Sequence, residues 1–575
     1  MNTSRVSLKS KLSIGATKNV RFGGNVAEIL EQYQKGNDSN YVLFLNQLRD
    51  PLLKSSQLVE WVQQCTELAQ ALDKDQNQIV NALLKVRWME REAAVISAFQ
   101  GFIITLVSSN PVHVRPVVKA LTSCFIPVVS KKDEHKQKLN LEDEKIYETG
   151  HFILKTLLKL IPQASSIVTE VFQRSFPYMT KPVTVLEWYV KNLLYASTYL
   201  PHLRVEILEL IVKCVADIDV HTPRVAIQDA EEEMEENDED VTMFKMDEDV
   251  SNIDDDDEMK LPLAKTLDHL MTILLQYVKD FCFVHDEFQL HGAQKLLKEL
   301  MKIFDDVILP LHGLVHVQFV IFYICSFKQS FCDTFIRHCW RKVTDPNIPS
   351  VLRQASVCYI ASLIARAKFI SLQSATACLD TMVTWCHDYV TKCADNTAFD
   401  FYSCDIARHS AFYSVCQAVF YILVFRHKEI LDTKQGHSYM MGLNLHHLIT
   451  SPLNPLKACL SSVVSMFTST MRIHQILYCD TIVERNNRVI LPVAGNTSSS
   501  LGNQNPLESF FPFDPYLLKR SSVYIDDLYT TWEGRVPQTE EVIEDEDEEL
   551  IGSFSKSLSS PLAPGFSQLM STTPF

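Results

Sequence analysis

The chain has 575 residues, of which 46% are hydrophobic, and it carries 54 basic and 70 acidic residues, a net charge of −16. This length is sufficient for several ordinary domains or for one extended array with a large core. Only 15 residues are glycine, well below the usual share of about 7%. This scarcity argues against phosphate-cradling loops and against sheets with many tight turns, so helix-rich structure is expected.

The acidic residues are concentrated in two runs. Residues 229–258 contain 17 Asp or Glu and one Lys, and residues 540–549 contain 8 more acids. The rest of the chain has 53 basic and 45 acidic residues, a net charge of about +8. Runs of this kind are predicted to be disordered because they cannot bury apolar surface. The first run is interpreted either as a solubilising loop or as a shield for a basic patch on the body.

Targeting and membrane signals are weak. The N-terminal sequence MNTSRVSLKSKLSIGATK is polar and basic and has no apolar core of a signal peptide. The most apolar runs, 315–327 and 412–425, are too short for a bilayer core of about 30 Å and are predicted to be buried helices. The 15 cysteines show no CxxC or zinc-ligand spacing. We expect a soluble protein with reduced, mostly buried thiols.

Apolar residues recur with helical spacing from about residue 41. In the clearest unit, 185–215, one helix ends before Pro201 and a second buries Ile207, Leu208 and Ile211. Similar pairs are predicted at 93–107 with 114–125, at 147–161 with 166–176, and at 352–367 with 376–389. These pairs indicate an all-α fold, a HEAT-repeat-like α-solenoid or superhelix of helix pairs. A compact all-α domain is the alternative.

Composition divides the chain into six predicted segments. These are a flexible N-terminal arm (1–40), N-terminal helical repeats (41–225), a disordered acidic insert (226–262), C-terminal helical repeats (263–492), a loop and aromatic cap segment (493–537) and a disordered acidic, Ser/Pro-rich tail (538–575). The aromatic stretch LESFFPFDPYLL at 507–518 contains two prolines, so a regular helix is excluded there. It is predicted to lie across the solenoid and to cap its last groove.

No pattern points to catalysis. The motifs GxxxxGK[ST], GxGxxG, GxSxG and HExxH do not occur in the sequence. The adjacent pair His446-His447 lacks a third metal ligand and is interpreted as a surface pair. The stretch His338-Cys339-Trp340 is interpreted as the edge of a core. No catalytic residue, metal ligand or cofactor is predicted.

Four residues outside these motifs are candidates for partner contacts. Arg366 and Lys368 end a predicted helix, where cations suit the helix dipole but could equally contact an acidic protein or DNA phosphate. Ser108 and Ser109 lie at a helix–turn boundary, where phosphorylation would weaken the binding of an acidic partner. Because the basic groups are spread over the chain, any DNA contact is expected to be weak and auxiliary.

Several long blocks are hard to obtain by chance, among them VRFGGNVAEIL (20–30), RQASVCYIASLIARAKFI (353–370), FYSVCQAVFYILVFRHKEIL (412–431), IVERNNRVILP (482–492) and NPLESFFPFDPYLLKRSS (505–522). They resemble the RNA polymerase I-specific transcription initiation factor (TIF-IA) family. The resemblance implies a non-catalytic HEAT-repeat adaptor without a cofactor. Such an adaptor binds RNA polymerase I near its stalk and bridges it to promoter-bound TATA-binding protein and associated factors, for ribosomal RNA synthesis.

The resemblance also carries expectations for sites. It implies a protein of the nucleus and nucleolus that is controlled by protein kinases, with Ser560, before Pro561, as the best-fitting tail position. On this hypothesis Ser108 and Ser109 meet the polymerase, and Arg366, Lys368 and the aromatic segment contact the polymerase or the promoter factors. No membrane partner is expected. The alternative is a HEAT-type nuclear transport or scaffold adaptor, which binding to a Ran-type GTPase would reveal.

Overall fold

The computed structural model describes residues 25–50, 52–127, 141–232, 258–395, 404–488, 507 and 511–531. Within these residues the secondary structure is helical, apart from a short hairpin that pairs Phe283–Val284 with Glu287–Phe288 and one isolated bridge between Ala367 and Tyr529. The predicted all-α, HEAT-repeat-like fold is therefore confirmed. The acidic tail and most of the acidic insert lie outside the described residues.

The chain forms two compact units, and unit 1 comprises Met1–Pro177 and Tyr195–Leu203. Its helices are α1 (Val26–Gln34), α2 (Ser39–Leu48), α3 (Ser55–Glu67), α4 (Asn77–Leu84), α5 (Ala93–Ser109), α6 (Val114–Ser123), α7 (Leu141–Leu160), α8 (Ser165–Arg174) and the end of α9 (Val183–Tyr199).

Unit 2 comprises Tyr178–Leu194 and Arg204–Phe575. After the first part of α9 it contains α10 (Arg204–Val220), α11 (residues 224–232), α12 (Pro262–Cys282), α13 (Leu290–Ile303) with a π-helical turn at Phe304–Ile308, α14 (Phe319–Ser326), α15 (Gln329–Thr344), α16 (Ser350–Arg366), α17 (Leu372–Asp395), α18 (Ser410–Leu431), α19 (Gly436–Gly442), α20 (Leu445–Ile449), α21 (Pro455–Ala458), α22 (Ser461–Ile473) and α23 (Asp480–Arg488).

The turn between α5 and α6 shows how the helix pairs of unit 1 are built. Helix α5 ends at Ser109, and Pro111 opens the short turn that leads into α6. The side-chain amide of Asn110 donates to the carbonyls of Ala69 and Leu72 at 2.8 and 2.9 Å. These bonds fix the turn to the preceding loop. The helix pair predicted at 93–107 and 114–125 is confirmed.

The core of unit 2 is built around α18. Residues 412–424 of this helix are all buried, as predicted for the apolar run, and α18 packs against α16, α17 and α22. Its Arg426 is 4% exposed and donates to the carbonyls of Ile364, Ala367 and Ile370 at 2.9, 3.0 and 3.1 Å. The last carbonyls of a helix lack partners within the helix. The Arg426 guanidinium supplies donors for the carbonyls at the end of α16 and just beyond it.

A buried carboxylate organises the entry to α14. Asp219, near the end of α10, accepts the backbone N–H groups of Val315, His316 and Val317 at 3.0, 2.8 and 3.0 Å. Its second oxygen lies 3.0 Å from the imidazole Nδ1 of His316. Both side chains are fully buried. This arrangement satisfies the backbone donors that precede α14, as an N-terminal cap would.

Two predicted boundaries were wrong. The N-terminal arm was predicted to be flexible through residue 40, but Val26–Gln34 form α1, which buries Val26, Ile29 and Leu30. The acidic insert was predicted from residue 226, but residues 224–232 are helical. Ile227 is buried there, so this turn of helix has an apolar anchor despite its charge. The two compact units also divide near α9, whereas the sequence placed the division at the acidic insert.

Candidate interaction surfaces

Residues 511–531, which we call the C-terminal strap, pack into the core of unit 2. Phe513 is fully buried, and its ring lies 5.4, 5.2 and 5.8 Å from the rings of Phe319, Phe322 and Tyr359. The strap therefore contacts α14 and α16, in the middle of the unit. The sequence correctly excluded a regular helix here, but the predicted position over the last groove was wrong.

Polar side chains from other helices hold the backbone of the strap. Arg224 of α11 donates to the carbonyl of Pro515 at 2.5 Å, and the amide of Gln318 donates to the carbonyl of Pro512 at 2.6 Å. The N–H of Phe513 donates to the hydroxyl of Ser362 at 3.0 Å. Proline offers no N–H, so its carbonyl is the backbone group that a partner can hold.

Arg366 is enclosed by the strap. Its guanidinium lies 4.6 Å from the ring centre of Phe425 and 5.5 Å from that of Tyr529, and its Nη2 is 3.9 Å from Asp514 Oδ1. The residue is 2% exposed, and its carbonyl accepts the N–H of Thr530 at 2.7 Å. The side chain thus holds the strap in place. A direct contact from Arg366 to another protein would require the strap to leave.

Asp514 is the acidic partner in this buried group. Burial raises the pKa of its carboxyl to about 6, while the guanidinium groups of Arg224 and Arg366 act in the opposite direction. The carboxyl is therefore held in a site that disfavours its charge. The sequence gives no signal for this arrangement, because the three residues are far apart along the chain.

Lys368 differs from Arg366 in its exposure. Its side chain is exposed, while its backbone N–H donates to the carbonyl of Leu528 at 3.0 Å. The predicted end of the helix at this position is confirmed, since α16 ends at Arg366. The partner contact proposed for Arg366 and Lys368 stays a prediction, and Lys368 is the residue that presents a cation at the surface.

Ser108 and Ser109 lie at the C-terminal end of α5, as the sequence predicted for a helix–turn boundary. Ser108 is exposed and Ser109 is half-buried. The hydroxyl of Ser108 donates to the carbonyl of Ile104 at 2.8 Å. Ser560, the regulatory candidate of the tail, lies outside the described residues.

The histidines of the two motifs lie at the surface and at the edge of the core. His447 is exposed, and its Nδ1 lies 3.3 Å from Nδ1 of His387. His338 lies 2.9 Å from Asp305 at the edge of the core. Among the described residues no group of three His, Cys, Asp or Glu side chains could hold a metal ion.

The cysteines are unpaired and mostly buried, as predicted. Burial raises the pKa of Cys65, Cys358 and Cys378 to about 12, which keeps these thiols protonated and unreactive.

In the described part of the chain, no single helix has both the length and the apolar composition needed to cross a membrane. In two places, two consecutive helices joined at a bend of 120° reach that length and apolar composition only when both helices are counted together.

Comparison with known proteins extends over almost the whole chain. The family model described as RNA polymerase I specific transcription initiation factor RRN3 matches residues 18–536. A mouse (Mus musculus) protein named RNA polymerase I-specific transcription initiation factor RRN3 is 38% identical over 570 residues, covering 93% of this chain and 86% of the mouse protein. A Schizosaccharomyces pombe protein of the same description is 25% identical, covering 83% and 80% of the two chains.

The fold is also found in a solved structure. The crystal structure of RNA polymerase I transcription initiation factor Rrn3 superposes with a TM-score of 0.66 at 21% identity, covering 88% of this chain and 97% of that one. At this identity the likeness concerns the fold. The sequence match supplies the family: the chain belongs to the RNA polymerase I-specific transcription initiation factor RRN3 family.

Proposed function

We propose that this chain acts in the nucleus and nucleolus as a non-catalytic adaptor that binds RNA polymerase I and bridges it to promoter-bound factors containing the TATA-binding protein. The observation that carries the proposal is the family match over residues 18–536, which spans most of both compact units. Two units can offer separate surfaces to two partners. Holding both partners on one chain raises their effective concentration, and no bond needs to be made or broken.

The polymerase-binding surface that we propose lies in unit 1 at Ser108 and Ser109. Ser108 is accessible at the end of α5, so a kinase could reach its hydroxyl. A phosphate would add a charge of about −1.5 to −2 at a helix C-terminus. Negative charge is unfavourable there and would repel an acidic partner surface.

A pull-down with purified RNA polymerase I tests this surface. The variant Ser108→Asp with Ser109→Asp should lose most of its polymerase binding, whereas Ser108→Ala with Ser109→Ala should keep it. Ser123→Asp is a matched control, because Ser123 is the exposed last residue of α6 in the same unit. Wild-type binding by the double Asp variant would rule out this surface, as would an equal loss in the Ser123 control.

The second surface that we propose lies in unit 2 around Lys368. Lys368→Glu should weaken recovery of the promoter-bound factors in a pull-down with the purified TATA-binding protein complex. Lys457→Glu is a suitable control, since Lys457 is also exposed in unit 2. Arg366→Glu is a poor test because it would place a second carboxylate beside Asp514 and remove the guanidinium that holds the strap. Unchanged recovery with Lys368→Glu would contradict the second surface only.

Tail phosphorylation is a further part of the proposal. Ser560 precedes Pro561, the context that proline-directed kinases modify. Phosphopeptide mapping of the chain from growing cells should find this serine phosphorylated, and Ser560→Ala should alter recruitment to promoters without changing the fold.

A further inference from the structure

The exposed face of α13 carries a row of basic residues. His291, Lys295, Lys298 and Lys302 follow a spacing of four, three and four residues, which places them on one side of a helix. All four are exposed. The opposite side of α13 is buried through Ala293, Leu296, Leu297, Leu300 and Ile303. At 1.5 Å per residue the row is about 16 Å long.

Acidic side chains do not neutralise this row. Glu299 is the one acidic residue of α13, and it is buried. Its carboxylate accepts two hydrogen bonds from Arg204 of α10, both at 2.7 Å. The guanidinium of Arg204 in turn lies 4.5 Å from the ring centre of Phe281. The negative charge of Glu299 is therefore compensated by Arg204 in the interior of the unit, while the lysines of the same helix face solvent.

Helix α15 packs at the end of α13 and carries two further exposed cations. Asp305, just beyond α13, lies 2.9 Å from Nε2 of His338 and 3.2 Å from Nζ of Lys342, so it holds α15 against the end of α13. Arg337 and Arg341 of α15 are exposed one turn apart. We call His291, Lys295, Lys298, Lys302, Arg337 and Arg341 the basic ridge.

The cations of the basic ridge are available for a partner. Among the described residues no carboxylate lies within ion-pair distance of its lysine and arginine side chains, although Lys342 beside them is paired. Asp306, in the π-helical turn that follows α13, is exposed four residues beyond Lys302 and marks the end of the row. The surface therefore has an excess of solvated positive charge although the whole chain carries −16.

The composition of the ridge indicates what it binds. Cores of protein–protein interfaces are enriched in aromatic residues and depleted in lysine. Lysine is the commonest residue of the ridge, and the exposed apolar residue of α13 is Leu290, at one end of the row. A row of flexible cations without apolar anchors suits closely spaced phosphates, where released counterions supply the free energy. We propose that the basic ridge binds the phosphate backbone of duplex DNA without reading its sequence.

Fluorescence anisotropy with a short labelled DNA duplex of arbitrary sequence tests the proposal on the full chain. The variant Lys295→Gln, Lys298→Gln, Lys302→Gln should bind more weakly. The log of the association constant falls linearly with the log of the salt concentration, by about 0.9 for each phosphate contact. Between about 50 and 200 mM salt, the decline should therefore be less steep in this variant, by about 2 to 3 in the slope. Lys298→Gln alone should lower the slope by about 0.9, which keeps the proposal testable if the triple variant is unstable.

The matched control is Lys54→Gln, Lys74→Gln, Lys119→Gln, which removes three exposed lysines of unit 1. It changes net charge equally and should leave the slope nearly unchanged. An unchanged slope in the α13 variant would overturn the proposal, and so would an equal decrease in the control. Intact DNA binding with lost retention of RNA polymerase I would assign the ridge to an acidic protein and would also overturn it. The pull-down with Ser108 and Ser109 variants is independent of this outcome.

Discussion

Oδ1 of Asp268 accepts hydrogen bonds from both the backbone N–H and the hydroxyl of Ser521, at 2.8 and 2.5 Å. The other carboxylate oxygen accepts the backbone N–H of Arg520 at 2.8 Å. Asp268 lies on α12 and is 2% exposed, so water would not readily replace the carboxylate if it were removed. One side chain therefore fixes the strap to a helix that precedes it by about half the chain.

Replacing this carboxylate should loosen the strap. In Asp268→Ala three donors lose their acceptor, two of them backbone groups, at a cost of about 3 kcal/mol. Hydrogen exchange should become faster in residues 519–525 and stay unchanged in unit 1. Lys279→Ala on the same helix should have an effect below about 0.5 kcal/mol, because Lys279 is exposed. Wild-type protection of the strap in Asp268→Ala would contradict the anchoring role.

Asp514 predicts a pH dependence of strap stability. Burial raises the pKa of this carboxyl to about 6 in the folded chain, above the value of about 3.9 in an unfolded chain. A raised pKa means that the folded state binds the proton more tightly. The stabilisation is complete below about pH 4 and is lost as the pH rises through about 6.

Asp514→Asn removes this titration. Relative to the wild type, the variant should gain stability as the pH rises from about 4 to about 7, by up to about 3 kcal/mol. Proteolytic cleavage within the strap, followed across this pH range for both proteins, measures the effect. A constant difference between the two proteins at all pH values would show that Asp514 does not titrate there.

Arg426 predicts a local loss of stability in unit 2. Arg426→Met removes the donors to three carbonyls at the end of α16 while roughly keeping the apolar volume of the side chain. We expect a cost of about 3 kcal/mol, because the carbonyls are buried and lose a charged partner. Thermal unfolding and hydrogen exchange at residues 363–370 should both report it. Lys428→Met, at an exposed position of the same helix, should change neither.

The acidic run predicts a charge effect on DNA binding. Replacing the Asp and Glu residues of 233–257 by Asn and Gln should raise the salt-sensitive affinity for DNA, if the run shields the body electrostatically. Glu231 and Glu258 should be kept, because they pair with Lys519 and Lys265. Equal affinity of the two proteins at low salt would leave the run with a solubilising role.

Helix positions were the part of the fold that the sequence predicted well. The helix pairs around residues 93–125 and 185–215 follow apolar spacing and proline, which act over a few residues. The buried run at 412–425 was likewise recognised from its composition. These signals are local, so no knowledge of the tertiary structure was needed to interpret them.

The position of the strap could not be predicted in the same way. Its contacts join Asp268 to Ser521 and Arg366 to Thr530, pairs separated by 253 and 164 residues. Such pairs leave no periodic pattern in one sequence. For Arg366 the sequence predicts a cation at a helix end or a contact with a partner, whereas its burial depends on the strap. Lys368, two residues further on, is exposed, so a buried cation that holds the strap and an accessible cation are separated by one residue.

The strap also has a consequence for synthesis on the ribosome. Asp268 is translated 253 residues before Ser521, a delay on the order of 10 to 50 s at typical elongation rates of about 5–20 residues per second. During that time the nascent unit 2 carries Arg366 and the rings of Phe319, Phe322 and Tyr359 without the segment that covers them. The nascent chain thus exposes aromatic side chains that the strap covers in the finished protein. Chaperones that bind apolar surface should associate with ribosomes that have already synthesised α16 but have not yet synthesised the strap.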